Sequence, residues 1–527
     1  MSCDLVLIVT CGQKFPASRQ ALAQCSPYFE AMFASGMKES SCEEIEMQDI
    51  EPDTLQALVD ISEGRAVKVA SDNVDRLLRA GCLFQFEQLQ RDCVDHLLGA
   101  MCLANAVETW QKGDAFGVRQ LCRAALITLL WEFEEFARRA SLAGCPRALL
   151  ETVLSKDTLN VSSEATVVKA AKHWLRVNAA SCAVEDVVAV ASCVRHNQLD
   201  ARDSAQWSSF LESLFSERCA GTVDRWREPL ERAAAAAPRC AIVRPAVVVF
   251  EMVSDEVARL AVYCAPSRSG AAFALHSPVP SAHGPEYLLR GFAICCVGKD
   301  AYFLCGEYGI GSGNWNRQVL RWCHVLSKWT QVAMLPQPRR HCKATVVGNR
   351  IHLCGGFGRY RVRLLSVDIY DTTTGLWEQG EELLRDEAVD ASAIVNLKDR
   401  VCIIPTCPAN SHETSHPIYS VSDIVSMSQT VAIPFSSHKT VVVCKGADSW
   451  YTFHEPRTFS EYANPKISLR SLLCGCALGD GIGFFVEDLT TGVVYNFDTD
   501  EQQRLNIGLC DVSIECCFGM PYFDLDD

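Results

Sequence analysis

The 527-residue chain contains one string whose residue types and spacing could hold a catalytic metal. His412-Glu413-Thr414-Ser415-His416 sets two imidazoles four residues apart, which on a helix would face the same way, with the glutamate as general base of a zinc-assisted hydrolysis. Its surroundings oppose a helix. Pro408 and Pro417 flank it, Asn410, Ser411, Thr414 and Ser415 are poor helix formers, and no third ligand is evident. The expectation is an exposed loop without metal. Gly479-Asp480-Gly481-Ile482-Gly483 lacks the spacing and following helix of a dinucleotide fingerprint, and neither a P-loop nor a G-x-S-x-G elbow occurs. The reading is of a chain that is not an enzyme and needs no cofactor.

The 28 cysteines are scattered, and no two stand in C-x2-C spacing. Cys295-Cys296, Cys516-Cys517 and Cys474-Gly475-Cys476 are too close to serve as good paired zinc ligands, so the expectation is reduced, packed thiols. Lys and Arg total 49 against 64 Asp and Glu, a net charge of -15, which argues against nonspecific binding to nucleic acid or an anionic membrane. The longest apolar run, Ala124 to Trp131, is far short of a membrane span of about 20 residues. Met1 to Thr10 has no basic n-region or cleavage site. These features lead to the expectation of a cytoplasmic location, with the nucleus as the alternative.

Turn residues divide the chain. Residues 1–237 hold 9 of the 31 glycines and 5 of the 20 prolines, so the first part reads as helix-rich and the second as strand-rich. The boundary falls where the alanine run Ala233 to Ala237 meets Pro238. Residues 1–101 read as a small mixed α/β domain. Leu5 to Val9 is an apolar strand and Gly12-Gln13 a turn. Ser26 caps a helix with Pro27 at its first position, Met32 and Phe33 face its core, and Gly36 can end it in a left-handed conformation. Ile45 and Met47 alternate with acids as one side of a strand. Leu55, Leu58 and Val59, then Val74, Leu77 and Leu78, recur at helical spacing.

Several strings in this segment resemble a BTB/POZ domain: Cys3-Asp4-Leu5-Val6-Leu7, Phe15-Pro16-Ala17-Ser18-Arg19, Leu22 to Phe29, Met32-Phe33, and Gly36-Met37-Lys38-Glu39-Ser40. The likeness runs on through Leu77-Leu78-Arg79-Ala80 and Leu83-Phe84-Gln85-Phe86 to about Met101. It departs where Ser18 replaces the usual His and where Asp60 to Gly64 replaces an aromatic-rich segment. The exchanged helix and strand that usually precede the signature do not precede it here, so a weakened homodimer is expected. The resemblance implies that Met37 and Glu39 form the hydrophobic-x-Glu contact with cullin-3, with Phe84 a secondary candidate for that surface. It also implies that Asp4 and Arg19 form a charged pair near the dimer surface.

Residues 102–237 read as helices, with Ser162-Ser163-Glu164 starting one whose apolar stripe is Val167, Ala171, Trp174 and Leu175. Leu154 to Glu164 and Cys102 to Ala106 resemble the BACK domain of Kelch-like proteins, whose usual role is a spacer. Asn160-Val161-Ser162 matches a glycosylation acceptor, expected to go unused in the cytosol.

Residues 238–527 show a period near fifty: Gly306 to Gly355 is 49 residues and Trp329 to Trp377 is 48. Each unit has a strand ending in glycine and a later strand bearing a tryptophan able to pack between neighbouring sheets. Ala333 to Trp377 resembles a full Kelch repeat, whereas Gly306-Glu307 and Pro405-Thr406 stand where diglycines would be. The expected fold is an all-β propeller, provisionally of six blades near residues 245–275, 291–333, 341–381, 389–432, 438–470 and 474–505. Residues 511–523 are expected to return to the first blade.

The loop after Gly355-Gly356 carries Arg359, Tyr360, Arg361 and Arg363, the loop entering that blade carries Arg339, Arg340 and His341, and the neighbouring blade offers Tyr308, Trp315 and Arg317. Converging on one face, they would bind an acidic or phosphorylated segment of a substrate protein. The whole is expected to be a BTB-BACK-Kelch substrate adaptor of a cullin-3 ubiquitin ligase. The alternative is a noncatalytic Kelch scaffold, such as an actin-associated protein, that transfers no ubiquitin.

Overall fold

The computed structural model describes residues 5–34, 36–178, 180–181, 183–216, 239, 243–254, 257–264, 274–276, 289–324, 328–380, 382, 391–397, 400–405, 430–436, 439–444, 449–454, 458–461, 474–479, 482–487, 490–497, 499–507 and 513–521. The chain divides into two compact units, Met1–Cys240 with Asp524–Asp527, and Ala241–Phe523.

In the first unit the apolar strand Leu5–Thr10 is central. It pairs antiparallel with Gln13–Ser18 and parallel with Glu44–Glu46. Two serines then start consecutive helices. The Ser18 hydroxyl accepts from the Ala21 N–H at 3.0 Å and opens helix Arg19–Cys25. The Ser26 hydroxyl accepts from the Phe29 N–H at 3.2 Å and donates to the Phe84 carbonyl at 2.6 Å, so one side chain both caps helix Pro27–Phe33 and ties it to a distant element. That helix ends at Phe33, before Gly36, which nevertheless takes a φ of +106° in the turn that follows. The stripes Leu55, Leu58, Val59 and Val74, Leu77, Leu78 are buried on helices Pro52–Ser62 and Val74–Leu83.

Helices Ala106–Phe116, Arg119–Trp131, Arg147–Ser155, Glu164–Asn178, Val184–Ser192 and Ala201–Ser216 follow. Val167, Ala171, Trp174 and Leu175 form the buried stripe of Glu164–Asn178, and the Trp174 indole donates to the Cys145 carbonyl at 2.8 Å. Glu164 is itself buried. It accepts from the Arg195 backbone N–H at 2.9 Å and pairs with Arg239, whose guanidinium also donates to the carbonyls of Leu154, Lys156 and Cys193. Arg239 thereby satisfies carbonyls left open around the end of helix Arg147–Ser155.

The second unit is built of antiparallel sheets. Four-stranded sheets comprise Ala293–Val297 with Asp300–Leu304, Gln318–Cys323 and Lys328–Met334, then Lys343–Val347 with Arg350–Cys354, Val367–Asp371 and Leu376–Gln379. Ala391–Leu397 pairs with Arg400–Pro405, and further four-stranded sheets begin at Thr430–Ser436 and Cys474–Gly479. Ser513–Pro521 pairs antiparallel with Val243–Ser254, so the end of the unit joins the sheet at its start. The leading strands starting at Ala293, Lys343, Ala391, Thr430 and Cys474 each touch the next. Ser513–Pro521 touches both the strand starting at Cys474 and that starting at Ala293.

Tryptophans fill the gaps between sheets, as their size and spacing require. Trp329 packs on Trp322 and Phe303 in a cluster that includes Ala246 and Val248 of the first sheet. Trp377 packs on Tyr370, with ring centroids 5.0 Å apart, in a cluster that reaches Tyr302 and Leu304 of the preceding sheet.

Candidate functional site

Two surfaces gather the residues singled out by type and spacing. The first is the turn after helix Pro27–Phe33. Met37 is 52% exposed and opens a short 3-10 turn, Lys38–Ser41, in which Glu39 is partly exposed. Arg19 holds this turn from below. Its guanidinium donates to the Glu39 carbonyl at 3.1 Å and to the Cys42 carbonyl, and stacks over the Phe33 ring at 5.1 Å. The charged pair expected for Arg19 involved Asp4, which lies outside the described residues. Among the described residues, the donors of Arg19 reach the backbone carbonyls of Glu39 and Cys42.

Phe84 has to be reassigned. It is 3% exposed, T-stacked on Tyr28 and stacked on Phe29, with its carbonyl bonded to Ser26. The residue is part of the core under the helix, so it offers no side-chain surface to a partner.

The second surface is a cleft of about 730 Å³ between the loop Gly311–Trp315 and the turn Gly358–Arg361, floored by Glu307 and Arg340. Strands Glu307–Tyr308 and Asn314–Trp315 pair as a hairpin, with Gly309, Gly311 and Gly313 all at positive φ. The Glu307 carboxylate is buried, accepts from the Gly313 N–H at 2.9 Å and forms an ion pair with Arg340. The Arg340 guanidinium lies 5.7 Å from the centre of the Trp315 ring. Opposite, Gly358 N–H bonds back to the Val362 carbonyl at 2.8 Å, forcing Tyr360 and Arg361 to φ values of 55° and 56°. That turn leaves Tyr360 97% exposed beside Arg359 and Arg361, and Val362 58% exposed.

The arginines divide by role. Arg339 is fully buried. It donates to the carbonyls of Leu353 at 3.2 Å, Gly355 at 3.1 Å and Ser366 at 3.3 Å, and pairs with Asp368. It is a structural staple between strands, not a ligand contact, because three carbonyls and a carboxylate already engage its fork. Arg340 is 5% exposed and committed to Glu307, so it shapes the floor and has no charge to spare. Arg359, Arg361 and Arg363 are exposed, and none pairs with an acid among the described residues. Arg363 is set back from the cleft by a backbone bridge to Phe357.

Trp315 lines the cleft; Tyr308, Arg317 and His341 do not. Tyr308 packs against the core, and burial pushes its phenol up to about 12. Arg317 donates to the Leu335 carbonyl at 3.3 Å. His341, at φ 52°, donates its N–H to the Gly291 carbonyl at 2.7 Å, and desolvation with the nearby cations of Arg340 and Lys343 pushes its imidazole down.

The residue that sequence reading left out is Glu307. Its signal was present: Glu307 stands where a diglycine would carry its second glycine. The next sheet shows why the glycine is usual, since a Cβ at Gly356 would lie 2.6 Å from the Arg340 carbonyl.

His412 to His416 lie outside the described residues, and among the described residues no group of three or more His, Cys, Asp or Glu could hold a metal ion. Nor is any described helix long and apolar enough to cross a membrane.

An α/β domain, a helical array and repeated antiparallel sheets, following one another along one chain, define a modular class of protein with separate surfaces on separate units. Family profiles match in the same order: a BTB/POZ domain over residues 1–100, "BTB And C-terminal Kelch" over 106–207, and a Kelch motif over 338–384. Among curated proteins the chain is 29% identical to rat (Rattus norvegicus) Kelch-like protein 21 over 382 residues, covering 66% of this chain and 59% of that protein. It is 26% identical to human (Homo sapiens) Kelch-like protein 30, covering 70% and 63%, and 31% identical to human Kelch repeat and BTB domain-containing protein 6, covering 39% and 31%. The chain thus spans about three fifths of the length of the first two relatives. It belongs to the BTB-BACK-Kelch family.

Proposed function

We propose that this protein is a substrate-recognition adaptor of a cullin-3 ubiquitin ligase and is not itself an enzyme. Residues 1–101 bind the cullin, 102–237 act as spacer, and a six-bladed propeller formed by residues 238–527 captures the substrate. The blade number is supported by the described sheets and by the cyclic contacts of their leading strands. Ubiquitin transfer is then accelerated by proximity, with the chemistry done by a partner-bound enzyme.

The observation that carries the cullin half is the exposed Met37–Glu39 turn clamped by Arg19. An exposed methionine beside an acid on a rigid turn suits an apolar pocket with a donor at its edge. The substrate half rests on the cleft. Arg359 and Arg361, which pair with no acid among the described residues of a chain of net charge -15, flank the exposed Tyr360, which suits an acidic or phosphorylated segment with an apolar neighbour.

The test is cullin-3 pull-down with the double substitution Met37→Asp, Glu39→Ala. Loss of capture by a variant that unfolds like the parent supports the reading. Unchanged affinity overturns the cullin half and leaves a noncatalytic Kelch scaffold as the alternative.

A further inference from the structure

We propose that Cys305 and Cys342 are a dithiol switch beneath the cleft, closing to a disulfide when a hydroperoxide is present and opening again under thiol reductants. The two sulfur atoms lie 3.3 Å apart, although the residues are 37 positions apart in the chain. Cys305 directly follows strand Asp300–Leu304, at a φ of 68°, and is itself followed by Gly306 and Glu307. Cys342 follows Arg340 and His341 at the entry to strand Lys343–Val347. Each cysteine therefore stands two residues from one partner of the buried ion pair that floors the cleft.

The backbones are already coupled at this point. The Gly306 N–H donates to the Arg339 carbonyl at 2.9 Å, and the Arg340 and Phe357 backbones bond reciprocally at 3.0 and 2.9 Å. A bond of about 2.05 Å between the sulfurs asks for an approach of roughly an ångström, within what side-chain rotation and small backbone shifts supply. The sulfurs also differ in character. Its contact with Cys305 and the charge of Arg339 push the Cys342 thiol down despite burial, whereas burial holds Cys305 well above an ordinary thiol. Cys342 is 6% exposed and Cys305 fully buried, so of the two it is Cys342, with the lower thiol pKa, that is placed to react first with a small oxidant.

The chemistry balances with hydrogen peroxide as oxidant. The Cys342 thiolate attacks the peroxide, forming an S–O bond as the O–O bond breaks, and hydroxide leaves and is protonated to water. Cys305 then attacks the sulfenic sulfur, the S–S bond forms, its proton passes to the departing oxygen and a second water leaves. Two thiols are oxidised and one peroxide is reduced to two waters. Closure staples the strand end before Glu307 to the strand start after Arg340, and so stiffens the hairpin that walls the cleft. The consequence for ligand binding rests on the reading of the cleft given above; the thiol chemistry does not.

The experiment uses the full-length chain, treated with hydrogen peroxide at a dose that leaves its circular dichroism unchanged, then quenched and alkylated with N-ethylmaleimide in denaturant. Peptide mapping should find Cys305 joined to Cys342, with a mass loss of about 2 Da that dithiothreitol reverses. Hydrogen exchange across Glu307–Trp315 should slow on oxidation in the parent and stay constant in Cys305→Ser. Both thiols alkylated after treatment, or Cys342 joined instead to Cys295 or Cys354, would overturn the switch. Should the Cys305–Cys342 bond form with exchange across the hairpin unchanged, its control of the cleft is overturned. Mapping on the parent protein needs no variant to fold and no substrate to be known, so it fails separately from the adaptor reading.

Discussion

The Arg340 guanidinium and the Glu307 carboxylate pair beneath the cleft with side chains only 6% and 2% exposed. In the following sheet, glycine occupies the position that corresponds to Glu307. The pair neutralises the floor, so the positive character of the cleft comes from Arg359 and Arg361 on its wall. Removing one partner leaves the other charge buried and uncompensated. Glu307→Ala should therefore cost the second unit about 3–5 kcal/mol, far more than a surface substitution. Equilibrium denaturation checks this; a loss below about 1 kcal/mol would show that water or another acid reaches Arg340.

Arg19 supports the Met37–Glu39 turn through carbonyls and is not expected to touch the cullin. Arg19→Ala should leave the helix start intact, because Ser18 supplies the cap. It should weaken cullin-3 capture by about tenfold by freeing the turn, the size of effect expected when a preorganised contact must be ordered on binding. Arg19→Lys should rescue little, since one ammonium cannot reproduce the fork that reaches the carbonyls of both Glu39 and Cys42. Titration calorimetry with purified cullin-3 separates these outcomes.

Reversal of the cleft wall, Arg359→Glu with Arg361→Glu, should abolish capture of substrates while cullin-3 binding is unchanged, since the two surfaces lie on separate units. In the parent, substrate affinity should fall as salt is raised from about 0.05 to 0.3 M, where screening shortens the reach of exposed charge. A reversed protein that still captures the same substrates would assign these arginines to solvated surface.

The depressed imidazole of His341 links stability to pH. Burial and the cations of Arg340 and Lys343 disfavour its protonated form in the fold, whereas the unfolded chain takes up the proton near the ordinary value of 6.5. The unfolded state thus binds more protons between the lowered value and 6.5. Stability from this group is full above about 6.5 and is lost as pH falls through that window. Denaturation midpoints measured from pH 7.5 to 5 should decline less steeply for His341→Asn than for the parent.

The sequence by itself determined whatever depends on near neighbours. Ser26 announced a helix start through local side-chain chemistry, and the stripes at Leu55 and Val74 marked buried helix faces through a 3.6-residue period. The 48-residue interval from Trp329 to Trp377 marked repeated sheets because one large ring is needed at each gap. The Met37–Glu39 pair was singled out through the resemblance to a BTB/POZ domain rather than through any local period. Exposure was another matter. Arg339, Arg340, Arg359 and Arg361 are alike as letters, yet Arg339 is fastened to three carbonyls and a carboxylate contributed by residues up to 29 positions away. Arg359 and Arg361 are left in water by a turn that closes on itself. Phe84 looked available on its helix and lies in the core because Tyr28 and Phe29 cover it. Only the tertiary structure decided these cases, because burial and pairing are properties of what the fold brings alongside a side chain, and a linear string does not carry those neighbours.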